Sequence, residues 1–387
     1  MIPQLPQAVG AVHIPLFLSP SRFGDLLSCK LSVLSPADAV EQLPVSPLAL
    51  LGTVLHHVVR EVSDGNWGDS STANMAFDTI LEAALMALEP QPVPLQKSVG
   101  LQRWFTRVAR ARSWALADAP AASTGVPRML QVLAGSEGPA QLRVDVGHEA
   151  WIVWPDGRLR GRADRVDARE GGGFRVVENK SGKIRDRTGG LLESIGIQVG
   201  LYALAIEAVT RASVETVVRG DEAVIVPWDA SARKSIREML DRILAELPAD
   251  TWMNAAVLAS PGPHCKRCRL RPACGNYLAG AASLWVDQAT MGRMPLDVWG
   301  EVQRVDETGE VGRVELRDDT GRVVVVSGLS VAREVHNLKR GDRIFFFDLE
   351  TDQDRQHTER IQPSNFRELP PNTSSSRRRA FGLRLFR

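Results

Sequence analysis

Cys29 stands near one end of this sequence, Cys265, Cys268 and Cys274 stand near the other, and the 387 residues contain no further cysteine. Three thiols at such short spacing, in a chain that uses no cysteine elsewhere but at Cys29, read as one four-thiolate site. Any fold must then bring together two segments more than two hundred residues apart. No charged-then-apolar leader opens the sequence, and no run approaches the roughly 20 apolar residues of a membrane span. A cytoplasmic protein is therefore expected, and in that compartment clustered cysteines serve metal ligation rather than disulfides.

The length suits two or three domains with ample core. Apolar content of 44% and charged content of 24% are ordinary for a globular chain. The net charge of +1 conceals clusters of positive residues. They are Arg158, Arg160, Arg162 and Arg165; Lys180, Lys183, Arg185 and Arg187; the surroundings of the cysteines; and the tail, with Arg377 to Arg379, Arg384 and Arg387. Such clusters suit a polyanion, but a charge run is more often a solvated face.

The pattern predicts an α+β chain. Ser19 or Ser21 is a candidate N-cap with Pro20 in the first turn, for a short helix that delivers Cys29. A second helix is expected over Pro47 to Val62, carrying Gly52, His56 and His57. Mostly helical pattern follows from Thr72 to Ala134, with Pro-rich breaks at 90–94 and 119–127. Alternation then predicts strands over Leu142–Trp154 and Leu159–Ala168, turning at Pro155-Asp156-Gly157. A strand over Phe174–Lys180, a helix over Glu193–Ala208, a hairpin over Val214–Val218 and Glu222–Val226, and a helix over Ala230–Glu246 complete the core. Short strands at Leu296–Val305, Val311–Leu316, Val323–Val326 and Arg343–Asp348 suit a small OB-like β-barrel. The expected division is a domain over 1–283 with a helical insert at about 66–140, the barrel over 284–368, and a disordered basic tail over 369–387.

The chemistry concentrates on two expected strands. Glu178 and Lys180 are two apart, so carboxylate and ammonium emerge on one face. The preceding strand, Gly161-Arg-Ala-Asp164-Arg-Val-Asp167, adds a further carboxylate. Asp164 and Asp167 are three apart and face opposite ways, so one joins the site, and Asp164, nearer the strand's centre, is the candidate. Two carboxylates and a lysine are what metal-assisted phosphodiester cleavage needs: the carboxylates hold Mg²⁺ or Mn²⁺, and the lysine orients the attacking water or stabilises the charge that develops. Gln198 and Tyr202, four apart on a helix, present their polar ends to one side, and His56 supplies a nitrogen ligand. Each feature alone is ordinary: Glu-x-Lys is a common strand pair, and a lone histidine on an apolar helix usually belongs to the core. Hard oxygen ligands here and thiolates there imply different metals at the two sites.

Taken in order, these residues resemble the PD-(D/E)XK nuclease superfamily, in its RecB/AddB-type branch with a [4Fe–4S] cluster, which includes the nuclease of the CRISPR adaptation machinery. The resemblance rests on Cys29, Gly52-x-x-x-His56, Gly161-x-x-Asp164-Arg165-x-Asp167, Glu178-x-Lys180-Ser181-Gly182, Gln198-x-x-x-Tyr202, and Cys265, Cys268 and Cys274, and covers about residues 17–280. It implies a restriction-endonuclease-like core, a mixed sheet flanked by helices. It further implies metal binding by His56, Asp164 and Glu178, catalysis by Lys180, a third motif of Gln198 and Tyr202, and a [4Fe–4S] cluster on the four cysteines. Spacing alone leaves structural zinc open for those thiolates. The sequence departs from the pattern in having Lys30 where proline often follows the first cysteine, in its long helical insert, and in its C-terminal region. No helicase P-loop is present, so any motor is expected to be a separate repair, recombination or defence partner.

The expected function is a Mg²⁺- or Mn²⁺-dependent deoxyribonuclease, an exonuclease, acting on single-stranded or end-exposed DNA. The alternatives are a catalytically silent DNA-end-binding scaffold subunit and an RNA-processing nuclease. Lys183 and Arg185 are the expected phosphate contacts. Trp299, Phe345, Phe346 and Phe347 are either stacking residues of the barrel or its core.

Overall fold

The computed structural model describes residues 9–35, 43, 45–88, 95–119, 131–133, 143–284, 297–308, 311–317, 321, 323–330, 338–347, 349–351 and 360–363. The expected basic tail, 369–387, lies outside the described residues.

Strand β1 (Ala11–Ile14) leads to helices α1 (Pro20–Ser28) and α2 (Lys30–Leu34), with Cys29 between them. Ser19 is the N-cap of α1 and Pro20 takes its first position, where a missing N–H costs nothing. Helix α3 (Pro47–Ser63) begins at Ser46, whose hydroxyl accepts from the Ala49 N–H at 3.1 Å. Leu51, Val54, Leu55, Val58, Val59 and Val62 form a buried stripe along α3 at helical spacing. That stripe packs on α4 (Ala73–Met86), α5 (Leu95–Val99) and α6 (Leu101–Asp118), which build a core of their own.

Next come β2 (Gln131–Leu133), β3 (Arg143–Asp145), β4 (Gly147–Val153), β5 (Arg160–Ala168) and β6 (Phe174–Asn179). After α7 (Glu193–Thr210) follow β7 (Val214–Arg219), β8 (Ala223–Val226) and α8 (Ala230–Glu246). Strands β2 to β8 form one seven-stranded sheet in sequence order. It is mixed, because β6 and β7 run parallel while the other neighbours are antiparallel. A parallel pair needs a crossover, and α7 provides it. Every residue from Ile197 to Ile206 is buried, because α7 lies against the sheet on one side and α1 and α8 on others.

Strand β9 (Thr251–Asn254) pairs antiparallel with β1, so the start of the described chain is tied to the segment before the cysteine loop. Helix α9 (Ala255–Leu258), two short 3-10 turns carrying Cys265 and the segment before Cys274, and α10 (Gly275–Leu284) follow. The C-terminal strands are β10 (Val298–Thr308), β11 (Val311–Arg317), β12 (Val323–Ser330), β13 (Arg343–Phe346), β14 (Leu349–Thr351) and β15 (Arg360–Pro363).

Several expectations require correction. The helical reading up to Ala134 fails at its end, where residues 131–133 are strand β2 paired with β3. The single strand expected over Leu142–Trp154 is two strands, because the backbone adopts positive φ at Gly147 (122°) and Glu149 (50°) and folds β3 back beside β4. Among the described residues the C-terminal strands form a sheet in the order β13-β10-β11-β12-β15-β14, whose two end strands are not paired with each other, so closure of the expected barrel is not seen there. Trp299, Phe346 and Phe347 are core rather than exposed stacking surfaces, at 2%, 3% and 4% exposure. The Phe345 side chain lies outside the described residues. Among the described residues no helix is long and apolar enough to cross a membrane.

Gly161 shows why the fold constrains the motif around Asp164. A Cβ there would sit 2.8 Å from Pro20 Cδ and 3.5 Å from Tyr202 Cε1, so only glycine lets α1 and α7 close on β5. Gly161→Val is expected to destabilise the protein by about 1–3 kcal/mol through overpacking. Chemical denaturation checks this, with an unchanged midpoint as the contrary result.

Candidate active site

Strands β5 and β6 pair with Arg165 opposite Val177, so the same register sets Asp164 beside Glu178 on one face. The Asn179 N–H donates to Asp164 Oδ2 at 2.6 Å, fixing the carboxylate at the end of β6. From α3, His56 Nδ1 lies 3.1 Å from Asp164 Oδ1. Gly52, one turn before His56, faces Ser181, whose hydroxyl would lie 4.0 Å from a Cβ at that position, an ordinary contact.

Glu178, Lys180 and Gln198 close a triangle. Lys180 Nζ donates to Glu178 Oε1 at 2.7 Å and to Gln198 Oε1 at 2.9 Å, and Gln198 Nε2 donates to Glu178 Oε1 at 2.8 Å. The second Glu178 oxygen, Oε2, is buried and accepts no hydrogen bond, and Asn179 Oδ1 is in the same condition. An unsatisfied buried oxygen of this kind carries a desolvation cost that a cation or donor would relieve.

Burial, followed by the negative charge of Asp164, raises Glu178 from an ordinary 4.5 to about 7, against the opposing pull of Lys180 and His56. Burial also pushes Asp164 upward, but His56, the Asn179 N–H and Lys180 outweigh it and hold that carboxyl below its ordinary range. His56 and Lys180 are both raised, since their carboxylate neighbours overcome burial. Two carboxylates in one low-dielectric place thus take up their charge unequally.

The structure therefore brings His56, Asp164, Glu178, Lys180 and Gln198 together, with Tyr202 beside them. The Tyr202 hydroxyl donates to the backbone carbonyl of Arg162 at 2.6 Å, and the residue is only 1% exposed. Tyr202 thus ties β5 in place while its phenol stays beside the cluster, where burial and the charges of Glu178 and Asp164 push its pKa up and a hydrogen bond with Gln198 opposes them. Asp167 faces away and accepts from Arg165 Nε at 2.6 Å. Of the expected phosphate contacts, Arg185 is engaged by Glu222 at 2.5 Å, while Lys183 is exposed.

Three residues of α6 that the sequence gave no reason to single out border this site. Arg110 Nη1 donates to the carbonyls of Ser181 and Gly182, both at 2.9 Å, and Arg107 Nη1 reaches Ser181 Oγ and the Leu48 carbonyl at 3.5 Å. Asp118, buried at the end of the same helix, pairs with Arg165 and, at 2.6 Å, with Arg219. No local pattern marks these residues, because their partners lie tens of residues away.

The four cysteines line one small pocket with Leu31, His264, Arg271 and Tyr277. Burial raises the Cys265 thiol to about 11 and also raises Cys268 and Cys274. Arg271 donates to the carbonyls of Cys265 (2.7 Å) and Cys268 (3.0 Å), so one buried guanidinium shapes the loop. It also pairs with Asp297 at 2.7 Å, and Asp297 accepts from the Tyr277 hydroxyl at 2.7 Å. Among the described residues, no three His, Cys, Asp or Glu side chains are set to hold a single metal ion.

A family profile, that of the PD-(D/E)XK nuclease superfamily, matches residues 18–275, more than half of the 387-residue chain. The chain belongs to the PD-(D/E)XK nuclease superfamily. No curated relative matches it at a significant level. The superfamily match starts before Cys29 and ends one residue after Cys274, so the β5–β6 cluster and all four cysteines fall inside it and the C-terminal sheet falls outside. Within this nuclease the Glu178-x-Lys180 pair sits at the end of β6, and Asp164 lies on the neighbouring strand.

A carboxyl whose folded pKa is raised stabilises the fold most fully below its unfolded pKa, and that contribution is lost as pH rises through the folded value. For Glu178 in metal-free buffer the loss spans about 4.5 to 7. In Glu178→Gln this loss is absent, so the stability difference should move in the variant's favour as pH rises across that window. Denaturation curves at several pH values check it, and a difference independent of pH would contradict it.

Proposed function

We propose that this nuclease hydrolyses phosphodiester bonds of single-stranded or end-exposed DNA, as a divalent-metal-dependent exonuclease serving repair, recombination or defence. The observation that carries this reading is Glu178: one oxygen is clamped by Lys180 and Gln198, and the other is buried with nothing to accept from. A hard cation fits that orphaned oxygen. Mg²⁺ commonly takes only one or two carboxylates, with waters and substrate phosphate completing its shell. Glu178 and Asp164 would hold Mg²⁺ or Mn²⁺ with His56 assisting, and the ion would polarise the scissile phosphoryl oxygen and lower the pKa of the attacking water.

The chain's own groups divide the remaining work. Lys180 places a positive charge where charge develops on the phosphoryl group and would donate a hydrogen bond that orients the nucleophile. Gln198, bonded to both Lys180 and Glu178, keeps ammonium and carboxylate in register. Tyr202 anchors β5 through the Arg162 carbonyl and so sets the position of Asp164.

For the cysteine pocket we propose a [4Fe–4S] cluster with a structural role. Zinc would need four sulfurs about 2.3 Å from one point. A multi-iron cluster takes up the same four thiolates around a larger core, and the support for it here is that all four cysteines wall one pocket.

The test is cleavage of end-labelled linear and closed circular single strands by anaerobically purified protein with Mg²⁺ or Mn²⁺. Lys180→Ala is expected to lower cleavage by on the order of 10²-fold or more while binding stays close to the parent. Loss of linear but not circular substrate identifies an exonuclease. Parent protein that carries its metals and binds strands without cutting them would instead support the scaffold reading, and cutting restricted to RNA strands the processing one. The same preparation should contain about four iron and four sulfide per chain, whereas a single zinc would overturn the cluster.

A further inference from the structure

Nearly every positive side chain around the site has an anionic or aromatic partner. Arg162 lies 3.4 Å from Glu149, Arg165 pairs with Asp118 and Asp167, and Arg219 pairs with Asp118. Arg185 meets Glu222, and Arg160 lies over the Phe17 ring at 3.2 Å. Arg107 and Arg110 are different. They stand three apart on α6, hence on one side of the helix, with Arg103 one turn further back on the same stripe.

Among the described residues neither Arg107 nor Arg110 meets a carboxylate. Their hydrogen bonds all use one nitrogen, Nη1, and go to neutral acceptors: the carbonyls of Leu48, Ser181 and Gly182 and the Ser181 hydroxyl. A guanidinium has five donors, so Nε and Nη2 of both side chains retain donor capacity. A Cβ on Gly182 would lie only 3.5 Å from Arg107 Nη2, so the pair closes directly over the two residues that follow Lys180. Burial and the like charges of Arg110 and Arg103 push Arg107 below its ordinary pKa. Two half-buried cations held together by neutral acceptors are poorly compensated, and an anion bound between them would offset the mutual repulsion. Bidentate recognition by guanidinium is matched to phosphate oxygens.

We propose that Arg107 and Arg110 form the phosphate-binding edge of the substrate path, holding the strand's backbone at a nucleotide flanking the scissile bond. This rests on the nuclease reading of the Glu178–Lys180 site and adds two phosphate contacts beside the exposed Lys183, whereas Arg185 is engaged by Glu222. The helical insert thereby becomes part of the substrate channel, with α6 as one wall. The ligand chemistry is a phosphodiester anion, shared by DNA and RNA strands.

The experiment measures binding of labelled oligodeoxythymidylate, and of oligouridylate as the RNA arm, in EDTA across a salt series. For single strands each phosphate contact contributes about 0.7 to the slope of log affinity against log salt. Arg107→Gln and Arg110→Gln are each expected to lower the slope by about that amount, and Arg107→Lys and Arg110→Lys to retain it. Folded Gln variants with the parent's slope would overturn the proposal, as would Lys and Gln variants that lose affinity and melting temperature alike. Should the Gln variants fail to fold, arginine modification of the parent by phenylglyoxal, mapped by mass spectrometry, decides. Protection of Arg107 and Arg110 by the oligonucleotide is expected, and equal modification with and without it overturns the proposal. Protection by one type of strand alone names that strand as the ligand. Neither readout requires cleavage, so a protein that binds as expected yet never cuts would sink the catalytic reading and leave this one standing.

Discussion

Glu178 is buried with Asp164 beside it, and the surrounding structure is arranged to sustain that pairing of like charges. Taking carboxylates out of water is costly unless each finds compensation. Asp164 finds it in His56 and a backbone N–H; Glu178 finds it for one oxygen only. The arrangement draws on four separate elements: β5 for Asp164, β6 for Glu178 with Lys180 just past its end, α7 for Gln198 and α3 for His56. A cluster so dependent on tertiary placement needs a rigid frame, and residual strain at such a place is what a binding or catalytic site tolerates.

The frame is closed at the opposite end by the cysteine loop. Cys29, Cys265 and Cys274 belong to the same continuous core as Ile152, Val166 and Tyr202, so the cysteine pocket and strand β5 share packing. The β1–β9 pair adds a backbone tie between the same two ends of the chain. Arg271 then links this loop outward. It is 1% exposed, holds the carbonyls of Cys265 and Cys268, and pairs with Asp297 just before β10. Trp299 and Phe347 complete the contact by entering the main core, which makes the C-terminal sheet a packed neighbour of the cysteine loop.

What the sequence disclosed was what periodicity encodes. Glu178 and Lys180 share a face because strands alternate, and the apolar stripe of α3 marks a helix with one buried side. The glycine of Gly161-x-x-Asp164 was visible as a motif, but its cause, the approach of Pro20, was not. Tyr202 was legible as a neighbour of Gln198 on α7, whereas the destination of its hydroxyl depends on a strand forty residues earlier. Arg107, Arg110 and Asp118 escaped notice for the same reason, since an insert's contacts with a sheet leave no local trace. The break between β3 and β4 was hidden because alternation continues through Gly147 and Glu149 while the backbone turns. In the C-terminal region strand positions followed from composition, but closure depends on long-range pairing that short strands do not specify.

The most direct test of the account is calorimetric titration of Mn²⁺ into the protein without nucleic acid, in the parent and in Glu178→Gln. If the orphaned Glu178 oxygen is kept for a cation, the parent should bind Mn²⁺ and the variant should lose most of that binding while remaining folded. Equal Mn²⁺ binding by the two proteins would contradict the account, because the buried carboxylate at its centre would then not be the metal's ligand.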